Sequence, residues 1–330
     1  MRFSRCLLLS LAPKWIAPTL IAATLIVAVA HAAAPHSLTP HAVTLVAPPV
    51  PLLWKISDAD NSVYLLGSFH LLKPEDYPLS KDVDAAFADA KSLVFEIPPQ
   101  EIASPELAMQ MGQAALRADG TRLDSDLSPA LAQKLKAWLA ANDASLQKTG
   151  FQPRMLQLFE PWFVGLTVSI VEMTDRGLDP KLGLDQHLAA QAKASGKPTS
   201  GLETGVQQIA FLDSMDHDEQ LQFLDEALSQ SQEGRQEVEK LHAAWRAGDV
   251  ATLWNGMAVD MRQHYPKLYR HINVERNDAW VPKIEQRLKT PGHDDTLVVV
   301  GALHLLGNDG VVEKLRAHGY KVERICSACK

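Results

Sequence analysis

Cysteine is scarce in this chain, which has only three among its 330 residues. Cys6 lies in the apolar N-terminal stretch, and Cys326 and Cys329 form a Cys-x-x-Cys pair at the C-terminus. In an oxidising compartment this pair is expected to form a local disulfide, which closes a loop too short to stabilise the fold much. A redox-active pair would begin a helix after a strand, and a metal-binding tail is a third alternative. We assign the pair no catalytic role.

Basic clusters and the common hydrolase signatures are also absent. The formal net charge is -7 at pH 7, and Lys and Arg are scattered along the chain. Phosphate binding requires a concentrated basic face, so nucleic acid is not an expected partner. The sequence contains neither H-E-x-x-H nor G-x-S-x-G. This excludes a zincin helix and a serine nucleophile elbow.

The longest apolar run lies near the N-terminus. Residues 18–29 have the length of a signal-peptide core, with Arg2, Arg5 and Lys14 before them and small residues after them. This pattern predicts a secretory signal over residues 1–32 and a periplasmic or secreted protein. The run is shorter than the ~20 residues that span a bilayer, so an uncleaved anchor is the less favoured alternative. No stable membrane span is expected after cleavage.

The remaining residues suggest one large domain. Residues 33–51, rich in Ala and Pro, are predicted to be an extended leader. Residues 52–325 are long enough for a single α/β domain with a substantial core, and residues 326–330 form a tail. Helical patterns dominate between about 104 and 290, where Val and Ile are sparse. We expect a mainly helical insertion there, broken by one short strand near 199–202.

A repeated pattern is the most informative feature of the sequence. Gly67-Ser68-Phe69-His70 and Gly301-Ala302-Leu303-His304 each follow a β-like apolar run, and both histidines precede Leu-Leu. Each unit is predicted to continue into a helix and then a second strand, at 80–90 and 92–97 in the first and at 309–317 and 320–325 in the second. The sequence thus predicts an α/β fold in which two related strand, Gly-x-x-His, helix and strand halves form a central sheet.

The spacing within each unit suggests chemistry at the strand ends. Glycine allows the backbone to turn sharply, so the histidine three residues later can project from the C-terminal edge, where α/β sheets bind ligands. Two imidazoles brought together would form a metal site or an acid/base pair. The alternative is a duplicated turn in which each histidine only bonds to nearby backbone.

Two carboxylates are further candidates. Glu96 lies in a predicted core strand, where a charged group needs a partner, and Glu203 follows the short strand near 199–202. Either residue could instead be an ordinary ion-pair residue. Glu323 is expected to be a surface residue, because it lies near the chain end between Lys321 and Arg324.

Six sequence blocks together resemble a known family, the TraB/PrgY/GumN family, which is related to the Tiki metalloproteases. The likeness covers about residues 52–325 in the family's order. The blocks are Leu53-Trp54-Lys55-Ile56, Tyr64-Leu65-Leu66-Gly67-Ser68-Phe69-His70, Val94-Phe95-Glu96-Ile97, Gly201-Leu202-Glu203-Thr204, Glu275-Arg276-Asn277-Asp278-Ala279-Trp280 and Val300-Gly301-Ala302-Leu303-His304-Leu305-Leu306-Gly307.

This resemblance implies an α/β fold with a site built from both Gly-x-x-His motifs and a following Glu. On the Tiki side it implies proteolysis supported by manganese or cobalt. The implied metal ligands are His70, Glu96 and His304, while Glu203 and Arg276 match further family blocks. The chain departs from the family at Ser68, where Thr is common, and at Leu303, where Gly is common. Leu303 adds bulk beside His304 and would narrow or close the site.

The leading hypothesis is an exported metal-dependent hydrolase acting on peptide or protein. Imidazole and carboxylate ligands suit manganese, cobalt, zinc or iron. Glu96 and Glu203 are the candidate proton acceptors, and Arg276 is expected either to stabilise an oxyanion or to pair with a helix neighbour such as Asp278 or Glu275. The alternatives are a non-catalytic accessory protein that binds metal, haem or glycan, and a metal-free His/Glu esterase-like hydrolase.

A Gly-Leu-Asp sequence at 183–185 resembles one further family block. It opens a predicted helix, and Asp185 is expected to be a cap of that helix rather than part of a ligand set.

Overall fold

The structure of the protein, a computed structural model, describes residues 47–232 and 235–329. The predicted signal over residues 1–32 and residues 33–46 of the predicted leader lie outside these ranges. Within the described ranges, no helix is both long and apolar enough to cross a membrane. Cys326 and Cys329 are joined by a disulfide, as expected from the sequence.

Six strands form one mixed sheet, and the fold class is α/β as predicted. The strands are β1 (Leu53–Ser57), β2 (Ser62–Ser68), β3 (Ser92–Phe95), β4 (Thr199–Gly201), β5 (Thr296–Gly301) and β6 (Val322–Ile325). Their spatial order is β4-β3-β5-β2-β1-β6. β5 runs parallel to both β2 and β3, and β3 runs parallel to β4, whereas β1 is antiparallel to β2 and β6.

The predicted short strand near 199–202 is confirmed as β4, and the first two strands form a hairpin. β1 and β2 pair through a turn in which the Asp58 carboxylate accepts hydrogen bonds from the backbone N–H groups of Asp60 and Asn61. Such side-chain to backbone bonds are the reason that Asp and Asn favour turns. All of β2 and nearly all of β5 are buried, since parallel central strands are covered on both faces.

Helices fill most of the chain between β3 and β5. Ser80, Ser104 and Ser128 cap the helices that follow them, each accepting a hydrogen bond from a backbone N–H three residues on. The α-helices are α1 (Lys81–Asp89), α2 (Pro99–Ile102), α3 (Pro105–Ala114), α4 (Pro129–Lys148), α5 (Pro161–Thr174), α6 (Leu184–Ser195), α7 (Gly205–Asp213), α8 (His217–Gln232), α9 (Arg235–Ala247), α10 (Val250–Trp254), α11 (Asp260–His264), α12 (Pro266–Tyr269), α13 (Arg276–Lys289) and α14 (Val311–Ala317).

The predicted arrangement of the sheet as two related halves is not confirmed. From β2, the chain crosses through α1 to β3, which lies on the far side of β5. From β5, it crosses through α14 to β6, which lies at the opposite edge of the sheet beyond β1. The two units therefore occupy the sheet differently. What they share is that β2 and β5 are neighbours whose C-terminal ends meet, with Gly67 opposite Val300 and Ser68 opposite Gly301.

Candidate active site

The candidate site lies at the C-terminal edge of the sheet. His70 follows β2, Glu96 follows β3 directly, and His304 lies in the short 3-10 turn after β5. Because these three strands are parallel neighbours, their ends bring the three predicted ligands together. The backbone N–H of Gly301 donates a hydrogen bond of 2.7 Å to Glu96 Oε1, which ties the end of β5 to the end of β3.

Both motif glycines lie in close contact with neighbouring groups. A Cβ on Gly67 would lie 2.9 Å from the Cβ of Leu52, so a side chain would displace the β1 end of the hairpin. A Cβ on Gly301 would lie 3.2 Å from Glu96 Oε1 and 3.3 Å from His70 Nε2. Gly301 thus keeps open a space that faces both of these polar atoms.

His70 is anchored through one ring nitrogen and presents the other. Its Nδ1 lies 2.8 Å from Asp185 Oδ2, and its Nε2 lies 4.0 Å from Glu96 Oε1. The Asp185 carboxylate is the main reason that the pKa of His70 is raised to about 9, against the effect of burial. The Ser68 hydroxyl also donates to Asp185. Because serine retains the hydroxyl that threonine would supply, the departure at this position preserves the contact.

Asp185 has a different position from the one predicted. The N-cap of α6 is Gly183, and Asp185 bonds to His70 instead of capping the helix. A Cβ on Gly183 would lie 2.0 Å from the carbonyl oxygen of His70, so only glycine allows α6 to begin against the first motif. The Gly-Leu-Asp block was the available sequence signal, but it does not reveal which histidine its carboxylate reaches.

His304 is buried and held by an amide. Asn277 donates its Nδ2–H to the carbonyl of Asp309, so its Oδ1 is the atom that faces His304 Nδ1, at 2.8 Å. Nδ1 therefore donates the proton, and Nε2 carries a lone pair. Burial is the main reason that the pKa of His304 is lowered to about 3. The ring also lies 4.5 Å from that of Trp280.

Arg276 links the two carboxylates to the second histidine. Its Nη2 donates to Glu96 Oε2 at 2.7 Å and to Glu203 Oε1 at 2.6 Å. Its Nη1 lies 3.2 Å from His304 Nε2, the nitrogen that carries the lone pair. Burial alone would raise the pKa of Glu96, but Arg276, the two histidines and the Gly301 N–H together outweigh burial and hold that pKa well below its usual range. All three charged side chains are between 11% and 13% exposed.

Arg276 does not form the ion pair with a helix neighbour that was one of the predicted alternatives. Asp278 pairs with Lys314, and Glu275 pairs with Arg270. The helix reaches Arg276 through a π-helical turn, Arg270–Glu275, which inserts extra backbone just before α13. Such turns are frequent at functional sites, because they change the direction of the following side chains.

Glu203 is occupied by hydrogen-bond donors. Its Oε1 accepts from Arg276 and from Gln208 Nε2, and its Oε2 accepts from Arg276 and from Trp280 Nε1. In this arrangement Glu203 positions Arg276. Glu323, the expected surface residue, lies on β6 at the opposite edge of the sheet and pairs with Lys321.

The predicted metal ligands fit an ion in part. His70 Nε2 and Glu96 Oε1 face the same open space, but their 4.0 Å separation exceeds the roughly 3.4 Å between two tetrahedral ligand atoms with bonds of about 2.1 Å, so the two would have to move closer to share one ion. The Nδ1 contacts of both histidines are of the kind that orients metal-binding imidazoles. The lone pair of His304, however, faces Arg276. Among the residues that the structure describes, no group of three or more His, Cys, Asp or Glu is arranged to hold a metal.

A cleft of about 510 Å³ opens from this cluster and is lined at one end by His70, Glu96 and Asp185. Leu303 packs against a separate apolar cluster that includes Trp162. Leu303 does not line the cleft, and the expectation that it narrows the site beside His304 stays a prediction.

Comparisons with known proteins agree with the sequence blocks. The sequence model of the TraB/PrgY/gumN family matches residues 52–324. The uncharacterized protein YbaP of Escherichia coli (strain K12) is 28% identical over 175 residues, which are 52% of this chain and 61% of that protein. The metalloprotease TIKI1 of Danio rerio is 23% identical over 315 residues, with 82% of this chain and 62% of that protein covered. The chain spans about three fifths of the length of these curated relatives. No solved structure matches it.

Proposed function

The chain belongs to the TraB/PrgY/gumN family, and we propose that it is an exported metal-dependent hydrolase that cleaves peptides or proteins. The observation that carries the proposal is the convergence of His70, Glu96, Glu203, Arg276 and His304 beside an open cleft. Similarity to the metalloprotease TIKI1 supports the reaction class and a divalent metal. Manganese and cobalt are the ions that the family resemblance implies. The N-terminal sequence pattern supports export.

In this proposal the two Gly-x-x-His motifs contribute unequal parts of one site. His70 Nε2 and Glu96 Oε1 would hold the ion, and His304 would join them if Arg276 turned away. A divalent ion supplies Lewis acidity, which polarises a carbonyl group and makes water a stronger acid. Asp185 fixes the His70 ring so that Nε2 faces the cleft. Gly301 fixes the Glu96 carboxylate so that Oε1 faces the same space.

The other two charged side chains of the site, Arg276 and Glu203, set the charge next to Glu96. Arg276 keeps a positive charge next to Glu96, and we assign it the stabilisation of negative charge that develops on a substrate oxygen. Glu203 and Trp280 hold Arg276 in place, because Glu203 accepts hydrogen bonds from both. Glu203 is therefore a positioning residue in this proposal.

Ion titration of the purified chain, combined with cleavage of a fluorogenic peptide library, tests the proposal. We expect manganese or cobalt to bind and to support cleavage, and His70→Ala to weaken both. His264→Ala is the matched control, because His264 is exposed and contacts only the backbone carbonyl of Asp260 among the bonds described. If the parent chain binds no ion and His70→Ala leaves cleavage unchanged, the site assignment is wrong.

A metal-free hydrolase is the second candidate, and the contact between Arg276 and the His304 lone pair favours it. In that case Arg276 supplies the positive charge, and Glu96 or His70 transfers the proton. Cleavage that persists in a chelator but is lost in Glu96→Gln would select this mechanism. Ion binding without cleavage of any library peptide would instead favour the non-catalytic binding protein.

A further inference from the structure

The cleft beside the candidate site has mainly apolar walls. Its walls come from the end of β3, from the α2 and α3 segment, and from residues of α5 and α6. The apolar lining residues are Leu71, Phe95, Ile97, Pro99, Ile102, Leu107, Ala108, Met111, Ile170, Pro180 and Ala189. A volume of about 510 Å³ is in the range of pockets that enclose small ligands or single large side chains.

Two of these wall residues are unusually exposed. Ile102 on the α2 side is 45% exposed, and Ile170 on the α5 side is 37% exposed. Helix α3, which carries Leu107 and Met111 on the wall, has no buried residue along its described length. Exposed apolar area costs about 25 cal/mol per Å², so apolar residues gathered along a cleft indicate that a ligand covers them.

The charges in the cleft exclude an anionic occupant. Among the described residues that line it, the charged side chains are the carboxylates Glu96 and Asp185 and the imidazole of His70, with no Lys or Arg. A phosphate or a fatty-acid carboxylate would lie beside two carboxylates, and the cationic His70 imidazole in the lining is already paired with Asp185. The cleft chemistry therefore selects a neutral apolar group.

The two amide side chains in the lining distinguish a peptide from a simple hydrocarbon. Gln186 projects from α6, and Gln208 projects from α7. An amide side chain offers both donors and acceptors, which match the N–H and C=O groups of a peptide backbone. A hydrocarbon chain that displaced water would leave the Gln186 amide and the Gln208 carbonyl oxygen without partners, although Gln208 Nε2 still donates to Glu203.

We propose that this cleft binds a large apolar side chain of a peptide substrate, next to the bond presented to His70 and Glu96. The inference rests on the proposed hydrolase function for the direction of binding, and it adds the substrate class: peptides with Leu, Ile, Met or Phe beside the cleaved bond. Gln186 and Gln208 bind the adjoining peptide backbone.

Binding measurements without turnover test this inference separately from the hydrolase activity. The probe is a fluorescent peptide in which a methylene amine replaces the bond to be cleaved, made with Leu or with Ser beside that bond, and its anisotropy reports binding. We expect the Leu peptide to bind at least about tenfold more tightly than the Ser peptide, because burial of an apolar side chain contributes about 1.5 to 3 kcal/mol.

Substitutions at two residues of the cleft lining test whether the apolar side chain of the peptide binds in the cleft. Ile102→Glu and Ile170→Glu should each remove most of the preference for Leu. Val206→Glu is the matched control, because Val206 is 54% exposed and lies outside the cleft lining. Since all three positions are exposed, circular dichroism should show an unchanged fold.

The possible outcomes separate the two proposals. The cleft inference is supported if the parent binds the Leu peptide more tightly than the Ser peptide and both wall variants lose this preference. This holds even if no peptide is cleaved with any ion. Equal binding of the two peptides, or wall variants that bind the Leu peptide as the parent does, overturns it while leaving the hydrolase proposal intact. Tighter binding of dodecanol than of the Leu peptide, in competition, would assign the cleft to a hydrocarbon and also overturn the inference.

Discussion

The two Gly-x-x-His motifs share a sequence pattern, but their histidines have different surroundings. The side chain of His70 is 56% exposed, whereas His304 is only 8% exposed. Asp185 raises the pKa of His70 to about 9, while burial lowers the pKa of His304 to about 3. The first histidine faces the cleft, and the second lies behind it against Arg276.

This difference comes from residues outside the motifs. A carboxylate from α6 orients His70, and an amide from α13 orients His304. A carboxylate stabilises a positive charge on its imidazole, whereas a neutral amide fixes the tautomer without adding charge. A sequence repeat can therefore place two identical residues at one site while the rest of the chain gives them different roles.

Replacing each histidine by alanine tests this comparison most directly. We expect His70→Ala to lower kcat/KM by a factor on the order of 10² to 10⁴ with little change in stability, because the side chain is largely exposed. His304→Ala should lower the free energy of unfolding by about 2 to 4 kcal/mol, since it leaves a cavity and an unpaired Arg276 donor. Peptide-cleavage kinetics and urea denaturation measure the two effects. Equal losses of stability in the two variants would contradict the comparison.

Arg276→Gln tests whether the cation behind the second motif balances the buried carboxylates. Glu96 and Glu203 would then face each other without a cation, and we expect a loss of about 3 to 5 kcal/mol in the free energy of unfolding. Manganese should restore part of this loss and should bind more tightly than in the parent, because His304 Nε2 becomes accessible. Thermal unfolding with and without manganese measures both effects.

Arg270→Gln is the matched control for this experiment, because Arg270 lies on the preceding turn and its side chain is 71% exposed. It should leave both the stability and the manganese response unchanged. A manganese response in Arg276→Gln that equals that of the parent would show that Arg276 does not compete with an ion.

Asp185→Asn tests the support of the first motif. The amide can still bond to His70 but no longer supplies a negative charge, so we expect ion affinity or kcat/KM to fall by about 10- to 100-fold. Asp213→Asn, at an exposed position at the end of α7, should have no effect on either quantity. An unchanged ion affinity in Asp185→Asn would show that the orientation of His70 does not depend on this carboxylate.

Local features of the fold were predictable because their causes are local. The turn at Asp58 and the helix starts at Ser80 and Ser128 follow from side chains that bond to nearby backbone groups. The strand order did not follow, because β5 lies between β2 and β3 although a long helical stretch separates it from both in sequence. That arrangement depends on packing between distant segments.

The candidate site was likewise predictable where the cause was local and not where it depended on distant segments. His70 and His304 were found because each lies at a fixed distance from a strand end, and Glu96 because a charge in a core strand needs a partner. Asp185 was misassigned, because a carboxylate in the first turn of a helix has the same sequence pattern whether or not it caps the helix. The structure shows that this turn lies against the first motif, because Gly183 closely approaches the His70 carbonyl and the Leu184 N–H donates to the Phe69 carbonyl.

The smallest expected effect concerns the loop after the first motif, whose stability depends on the charge of a buried carboxylate. Asp76 is fully buried there and contacts His242 and Arg246 of α9. Burial alone would raise the pKa of Asp76, but these contacts and the Lys73 N–H lower that pKa below its usual value of 3.8. The ionised carboxylate therefore stabilises the fold above its unfolded pKa, and this contribution is lost as the pH falls through the lower folded pKa.

Asp76→Asn should accordingly reduce the free energy of unfolding by about 1 to 3 kcal/mol near neutral pH, and the difference from the parent should shrink as the pH falls below 3.8. Glu75→Gln, at the exposed neighbouring position, controls for the loss of one acidic group. Urea denaturation across this pH range measures the difference. Hydrogen exchange should show that the backbone after His70 loses protection in acid before the backbone around His304, whose ring is held by a neutral amide. If the backbone at both motifs loses protection at the same pH, the stability of the first motif does not depend on charge more than that of the second, and the comparison fails.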